Sequence, residues 1–416
     1  MHHQQGRKNG KKHSPTPGRS KHKSPQFYSF SFSNNLKLPG HWYHLPLVLF
    51  LVMGLSSCGS SSPPRPNPSD SPNQSVDSKL TFFNVTLEQF DEVGRPIWKV
   101  KAKEAKYTKE KQIGQVASPD GELYQDGQVV YKVQAEQADI QQDGKQLFLK
   151  GKILATDPRN GIVLQGNELE WRPKEDLLIV RNQLNGTHKQ LKARATEAKV
   201  KTRDQRMEFS GQVVANSSDP QLQMRTEHLT WEIKTGKLIS DRPVLMERYK
   251  NNQITDRGRG NSAQVDLKTK IATLQQKAQI ELLDPPVQIA SDAMTWNMNT
   301  EVVSTSTPIR AFHRAEKMTV TANQGEMKIP QKTVYLTGNV KAVGQRNQSL
   351  TSNVITWLLE KKLLLAQGNV IYRQANPQLT FTGDTAIGNL ETENITVKGG
   401  NSGGKVVTEI IPQENQ

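Results

Sequence analysis

Residues 197–213 read Glu-Ala-Lys-Val-Lys-Thr-Arg-Asp-Gln-Arg-Met-Glu-Phe-Ser-Gly-Gln-Val. Count from Val200 as zero. Met207 and Phe209 stand at plus seven and plus nine, Gly211 at plus eleven and Val213 at plus thirteen. Apolar residues alternate with polar ones at period two, the signature of a strand with one buried face. The polar run Thr202–Gln205 separates two such stretches and reads as a hairpin turn. The same frame returns with zero at Ile140, Trp171, Trp231, Val265, Trp296, Met327 and Trp357, giving a unit of about 30 residues. A period of that size marks stacked supersecondary units.

In all eight units the residues at plus seven and plus thirteen are apolar, from Leu147 and Ile153 to Leu364 and Val370. Plus nine is apolar in six and carries Ser240 and Thr305 in the other two. Plus eleven is Gly in four: Gly151, Gly211, Gly338 and Gly368. Positions seven to thirteen share parity and are expected on one face. A glycine inside a strand marks a bulge or bend there, and a strand that bends can cross from one sheet to a facing one. Two residues before zero, Leu169, Leu229, Met294 and Ile355 accompany the tryptophans, while Ala138, Ala198, Ala263 and Gly325 accompany the slimmer residues. The true period is therefore near 61 residues, a bulky unit followed by a slim one. Alternating bulk lets facing positions interdigitate. The tryptophans are either ordinary core or the lining of a cavity.

The remainder of the chain divides by composition. Residues 1–57 are a basic leader holding eight Lys or Arg and no acid, more than half of the net charge of +15. The run Leu45–Leu55 has the length of a signal-peptide core rather than of a membrane span. It ends in Leu-Ser-Ser-Cys58, which resembles a bacterial lipobox, so Cys58 is the expected lipid anchor. As the one cysteine in the chain it permits no intramolecular disulfide. Residues 58–79 are rich in Pro and Ser and read as an extended tether. The repeats fill residues 80–245 and 246–400 as two halves, and 401–416 form a tail.

No catalytic set presents itself. Six of the nine histidines lie in the leader, and His188, His228 and His313 fall in different units. No cofactor or metal site is expected. Gly258-Arg259-Gly260 lacks the residues of a phosphate loop and reads as a polar connection. Glu168 and Glu170 stand at strand spacing on a polar edge and read as solvated. Without an Arg-rich helix or a basic patch interleaved with aromatics, a nucleic-acid partner is not supported.

A lipobox, a tether and serial β-hairpins resemble the periplasmic bridge proteins of lipopolysaccharide export, the LptC family, with LptA as its relative. The segments carrying the likeness are 136–153, 197–213 and 323–340, together with the opening stretch 82–102. The resemblance implies an all-β fold, an elongated antiparallel β-jellyroll or folded-sheet trough. It implies a non-enzymatic role in passing lipopolysaccharide from an inner-membrane ABC transporter toward the outer membrane. It also implies edge-strand pairing with an LptA-like or outer-membrane partner and a place at the periplasmic face of a membrane, the inner one by expectation. Acyl chains would meet Trp171, Trp231, Trp296, Trp357, Leu149, Phe209 and Leu336. Members of the family have about half this folded length and a transmembrane helix, whereas this chain reads as double-length and lipid-anchored. The alternative is a structural or adhesive β-repeat lipoprotein with a dry core.

Overall fold

The structure is a computed structural model, and it describes residues 79–108, 113–141, 146–399 and 406–410. These form 28 strands, every pair of them antiparallel, and one short 3-10 turn, Pro173–Glu175. All belong to one compact unit. The boundary at residue 245 falls inside the strand Val244–Lys250, and hydrogen-bonded pairing runs across it.

The long strands do not stay in one sheet. In Leu147–Thr156, residues 147–150 pair with Trp171 to Glu168 of the next strand, and residues 153–156 pair with Gly166 to Val163. Between them the register shifts, and the strand turns a corner. The same break recurs in Leu177–Thr187, Arg206–Ser218, Ile271–Leu282, Thr333–Val343 and Leu363–Gln374. One continuous sheet is thereby folded along its corners into two leaves. The half-strands carrying positions zero, seven and nine make the tryptophan leaf. The other halves make the facing leaf.

The corner has a common backbone device: two successive residues in the left-handed region. They are Gly151-Lys152, Asn182-Gln183, Gly211-Gln212, Gln276-Lys277, Gly338-Asn339 and Gly368-Asn369. Glycine adopts that conformation without penalty, which accounts for its recurrence at plus eleven. Plus eleven is therefore a hinge rather than an inward-facing site, a correction to the simple parity reading. Two units solve the corner differently. Pro243 and Pro308 stand at plus twelve, where a fixed negative φ forbids the left-handed pair. There the strand stops and restarts, as Lys237–Ser240 then Val244–Lys250, and Val302–Thr305 then Ile309–His313.

The same two units carry the polar residues at plus nine, and the reason is now plain. A broken strand leaves backbone groups without ladder partners, and these must be satisfied locally. Ser240 Oγ lies 3.0 Å from the carbonyls of both His228 and Arg242 and accepts from the Arg242 N–H. Thr305 Oγ1 donates to the Ala293 carbonyl at 2.7 Å and accepts from the Thr307 N–H. Ser240 is almost fully buried. Ser240→Ala is expected to cost about 1–3 kcal/mol, because it strands buried polar groups. Urea denaturation of the variant measures this; a cost near zero would mean that the hydroxyl satisfies nothing.

A second ladder runs along the turns of the tryptophan leaf. Each turn ends at plus five in a left-handed residue: Asp176, Gln205, Gly236, Lys270, Glu301, Lys332, Lys362. Its carbonyl accepts the N–H at plus two of the next turn, from Thr202 onto Asp176 to Leu390 onto Lys362. Turn conformation thus fixes the stacking of successive units as well as the hairpin itself.

Candidate functional site: an apolar trough with a polar seam

The space between the leaves is built from the inward positions of every unit. Trp171, Trp296, Trp357 and Leu336 are 0% exposed, Leu149 and Phe209 1%, and Trp231 3%. All seven sequence-predicted lining residues therefore sit on the inner face of the tryptophan leaf and share one continuous core. Cys58, the leader and most of the tether lie outside the described residues.

Groups from the facing leaf cover the tryptophans. The His188 ring lies 5.2 Å from that of Trp231, and His313 lies 5.6 Å from Trp357. The Arg248 guanidinium sits 5.7 Å above Trp296. Gly258 makes room for this last ring, since a Cβ there would lie 3.0 Å from Leu274 and 3.4 Å from Trp296. Gly258 belongs to the strand Gln253–Gly260, not to a connection. The indole N–H groups of Trp171, Trp231 and Trp296 are buried without a hydrogen-bond partner.

The interior is not uniformly filled. Around Ile162, Leu164, Phe209 and Trp231 no space is left for a water molecule. Toward the C-terminal end a cavity of 480 Å³ opens between the leaves, lined on one part by Met318, Ala342, Leu350, Leu364 and Tyr372 and on the rest by polar residues such as Gln348, Ser349, Gln374, Asn389 and Asn394. That volume falls in the usual range of about 300–1,000 Å³ for small-molecule sites. Arg346 and Glu393 stand at its rim.

Opposite the corners, the turns of the two leaves meet along a polar seam. Arg203 Nη1 bonds Asp126 at 2.6 Å, and Lys270 pairs with Asp219 at 2.9 Å. Arg248 reaches Glu301 at 2.6 Å, Lys332 lies 3.8 Å from Asp284 and Lys362 lies 3.9 Å from Glu316. Arg346 and Glu393 close the row at the cavity. In five of these six pairs the partner from the tryptophan leaf is the left-handed residue at plus five or its counterpart Glu393. Sequence reading misses the seam. Plus five carries either sign of charge, and the pairing distance, roughly 50 residues in five pairs and 77 in Arg203–Asp126, emerges only once the leaves face each other.

Glu170 also departs from expectation. It is 5% exposed, held on the outer face by Arg172 and by Arg181 at 2.9 Å. Burial pushes its pKa up, but the two guanidinium groups outweigh this and hold the carboxyl below the usual range. The long Arg side chains cover it, which a strand-spacing argument does not foresee.

Burial lowers the pKa of both His188 and His313 below the ordinary 6.5; Lys189 adds to the first, and at the second Lys362 lowers while Glu316 raises. Both rings therefore take up protons more readily in the unfolded chain. Their stabilising contribution is full above about pH 6.5 and is lost as pH falls below that value, through the lower pKa of the folded state. The denaturation midpoint is expected to drop between pH 7.5 and 5.5. His188→Phe/His313→Phe should flatten that dependence; an unaltered slope would show that these rings are not buried neutral.

With this geometry in hand, comparison with known proteins is decisive on one point. The family model described as lipopolysaccharide-assembly, LptC-related, matches residues 46–179, 175–283 and 310–403. The chain belongs to the LptC-related family. Three successive matches along one chain agree with the serial repeat, and LptC-related segments cover nearly all of the folded region. Among solved structures, LptH of Pseudomonas aeruginosa is similar over 38% of this chain and 95% of its own, at 13% identity and a TM-score of 0.19. LptH is the LptA-homologous periplasmic component of the lipopolysaccharide transport device of that organism. No curated protein matches the sequence.

Proposed function

We propose that this chain is a non-enzymatic lipopolysaccharide carrier and bridge at the periplasmic face of the cell envelope, anchored through Cys58. It takes glycolipid from an inner-membrane ABC transporter and passes it toward the outer membrane. The observation that carries this reading is the apolar trough of an LptC-related chain, with a 480 Å³ cavity opening toward its C-terminal end. Acyl chains occupy the space lined by Trp171, Trp231, Trp296, Trp357, Leu149, Phe209 and Leu336, while sugars remain in water. The exposed strand Lys79–Phe90, with Leu80, Phe82 and Phe83 uncovered, suits pairing with another chain's strand. Lys79–Phe90 pairs only with Pro96–Thr108 among the described residues.

Photo-cross-linking tests the reading. A benzophenone side chain at Leu364, and another at Trp231, is introduced in cells and the adducts are identified by mass spectrometry. Glycolipid adducts at both positions are expected. The dry-core alternative draws support from the filled interior around Phe209 and Trp231. Adducts at neither position would favour it. Cys58→Ser is expected to abolish incorporation of labelled palmitate; retained label would refute the anchor.

A further inference from the structure

The seam has an energetic property that its regularity conceals. Most of its pairs are half-exposed: Lys270 and Asp219 are 30% and 73% exposed, Lys332 and Asp284 33% and 87%, Arg346 and Glu393 67% and 55%. Exposed pairs of this kind contribute only about 0–1 kcal/mol each. The seam's cations are therefore cheaply separated from their carboxylates by a better anion. A phosphate offers more charge and more acceptor oxygens than a carboxylate, and it takes arginine in a bidentate grip.

The layer beneath behaves in the opposite way. Parting the lips would expose the inner face to water, at about 25 cal/mol for each Å² of apolar surface. A soluble phosphate does nothing to offset that. An uncharged acyl lipid offsets it but leaves the seam in place. Only a molecule with phosphate and hydrocarbon together satisfies both layers. The last pair shows the two layers joined, because Arg346 and Glu393 line the same cavity as the apolar side chains Leu350, Leu364 and Tyr372. Lys270, Lys332 and Lys362 stand on the lip of the tryptophan leaf and Arg346 on the facing lip, all along the same line.

We propose that the seam is a headgroup-exchange latch: phosphate groups of an acylated glycolipid displace the seam carboxylates from their lysines and arginines, and its acyl chains enter sideways between the leaves behind them. The displaced carboxylates turn to solvent. No bond is made or broken, and the latch re-forms as the headgroup moves on to the next cation. This rests on the carrier reading and specifies how that same trough is loaded.

The test uses the full chain and three probes: a hexa-acylated glucosamine disaccharide bisphosphate, the same lipid without its phosphates, and inorganic phosphate. Binding is followed by acrylamide quenching of the buried tryptophans. The bisphosphorylated lipid is expected to bind at least about tenfold more tightly than its dephosphorylated form, and inorganic phosphate should leave quenching unchanged. Lys270→Gln/Lys332→Gln/Lys362→Gln/Arg346→Gln should erase the preference while its circular dichroism stays native. Equal affinity of the native chain for the two lipids overturns the latch without needing any variant. So does a preference that survives in the folded variant. Binding of neither lipid overturns the carrier reading itself, and the latch with it.

Discussion

Replacing Trp296 with alanine is expected to lower the free energy of unfolding by about 3–5 kcal/mol, the range for removing a large buried aromatic. Trp296 is fully buried, with Gly258 and Leu274 close by and the Arg248 guanidinium above it. Its register partners are Ala272 on one side and Val303 on the other. Neither is large enough to fill the vacated volume, and the backbone on both sides is tied into the ladder. The site therefore cannot collapse far, which places the cost toward the upper part of the range. Trp296→Phe should recover most of the loss. Urea denaturation followed by far-ultraviolet circular dichroism gives the number. A cost under about 1 kcal/mol would mean that the leaves part readily here even without a ligand.

Arg248→Met is expected to be nearly as damaging. Arg248 and Asp256 are 8% and 2% exposed, and the guanidinium donates to the Asp256 carboxylate through Nε at 2.6 Å. Its other arm reaches Glu301. Removing it leaves the Asp256 carboxylate buried with, among the described residues, only the Thr255 hydroxyl as a side-chain donor, at 2.7 Å. Breaking one partner out of a buried pair costs about 3–5 kcal/mol, whereas replacing both by apolar groups of similar size is often neutral. Arg248→Met/Asp256→Leu should therefore be far more stable than the single variant. If the double variant is as unstable as the single one, the stranded carboxylate is not the cause.

The repeat, the hairpins and the inward face were legible because each rests on local rules. Period-two alternation names the buried positions, and the inner residues from Leu147 to Val370 are buried where it places them. Glycine revealed four corners, since the left-handed backbone selects for it. Asn182-Gln183 and Gln276-Lys277 make the same corner without glycine and gave no signal. Ser240 and Thr305 looked like lapses in the apolar pattern. They are its consequence, because Pro243 and Pro308 break the strand and the hydroxyls repair it. The candidate site was legible only on its apolar side. The covering groups His188, Arg248 and His313 and the seam pairs belong to turns and strand ends whose partners lie far along the chain, and no local pattern links them.

The left-handed pair at each corner also governs how such a molecule can grow. Each of the six left-handed corners sends its strand from one leaf to the other by the same two-residue step, whatever the number of units before or after it. One unit adds two strands to each leaf, or about 9–10 Å of reach at the ordinary strand spacing. Length is therefore adjustable by duplication while the cross-section of the trough stays constant. The increment is quantised, though: because tryptophan-bearing and slimmer units alternate, a whole pair must be gained or lost if that alternation is to be kept. Reach becomes something the gene can count in steps of two.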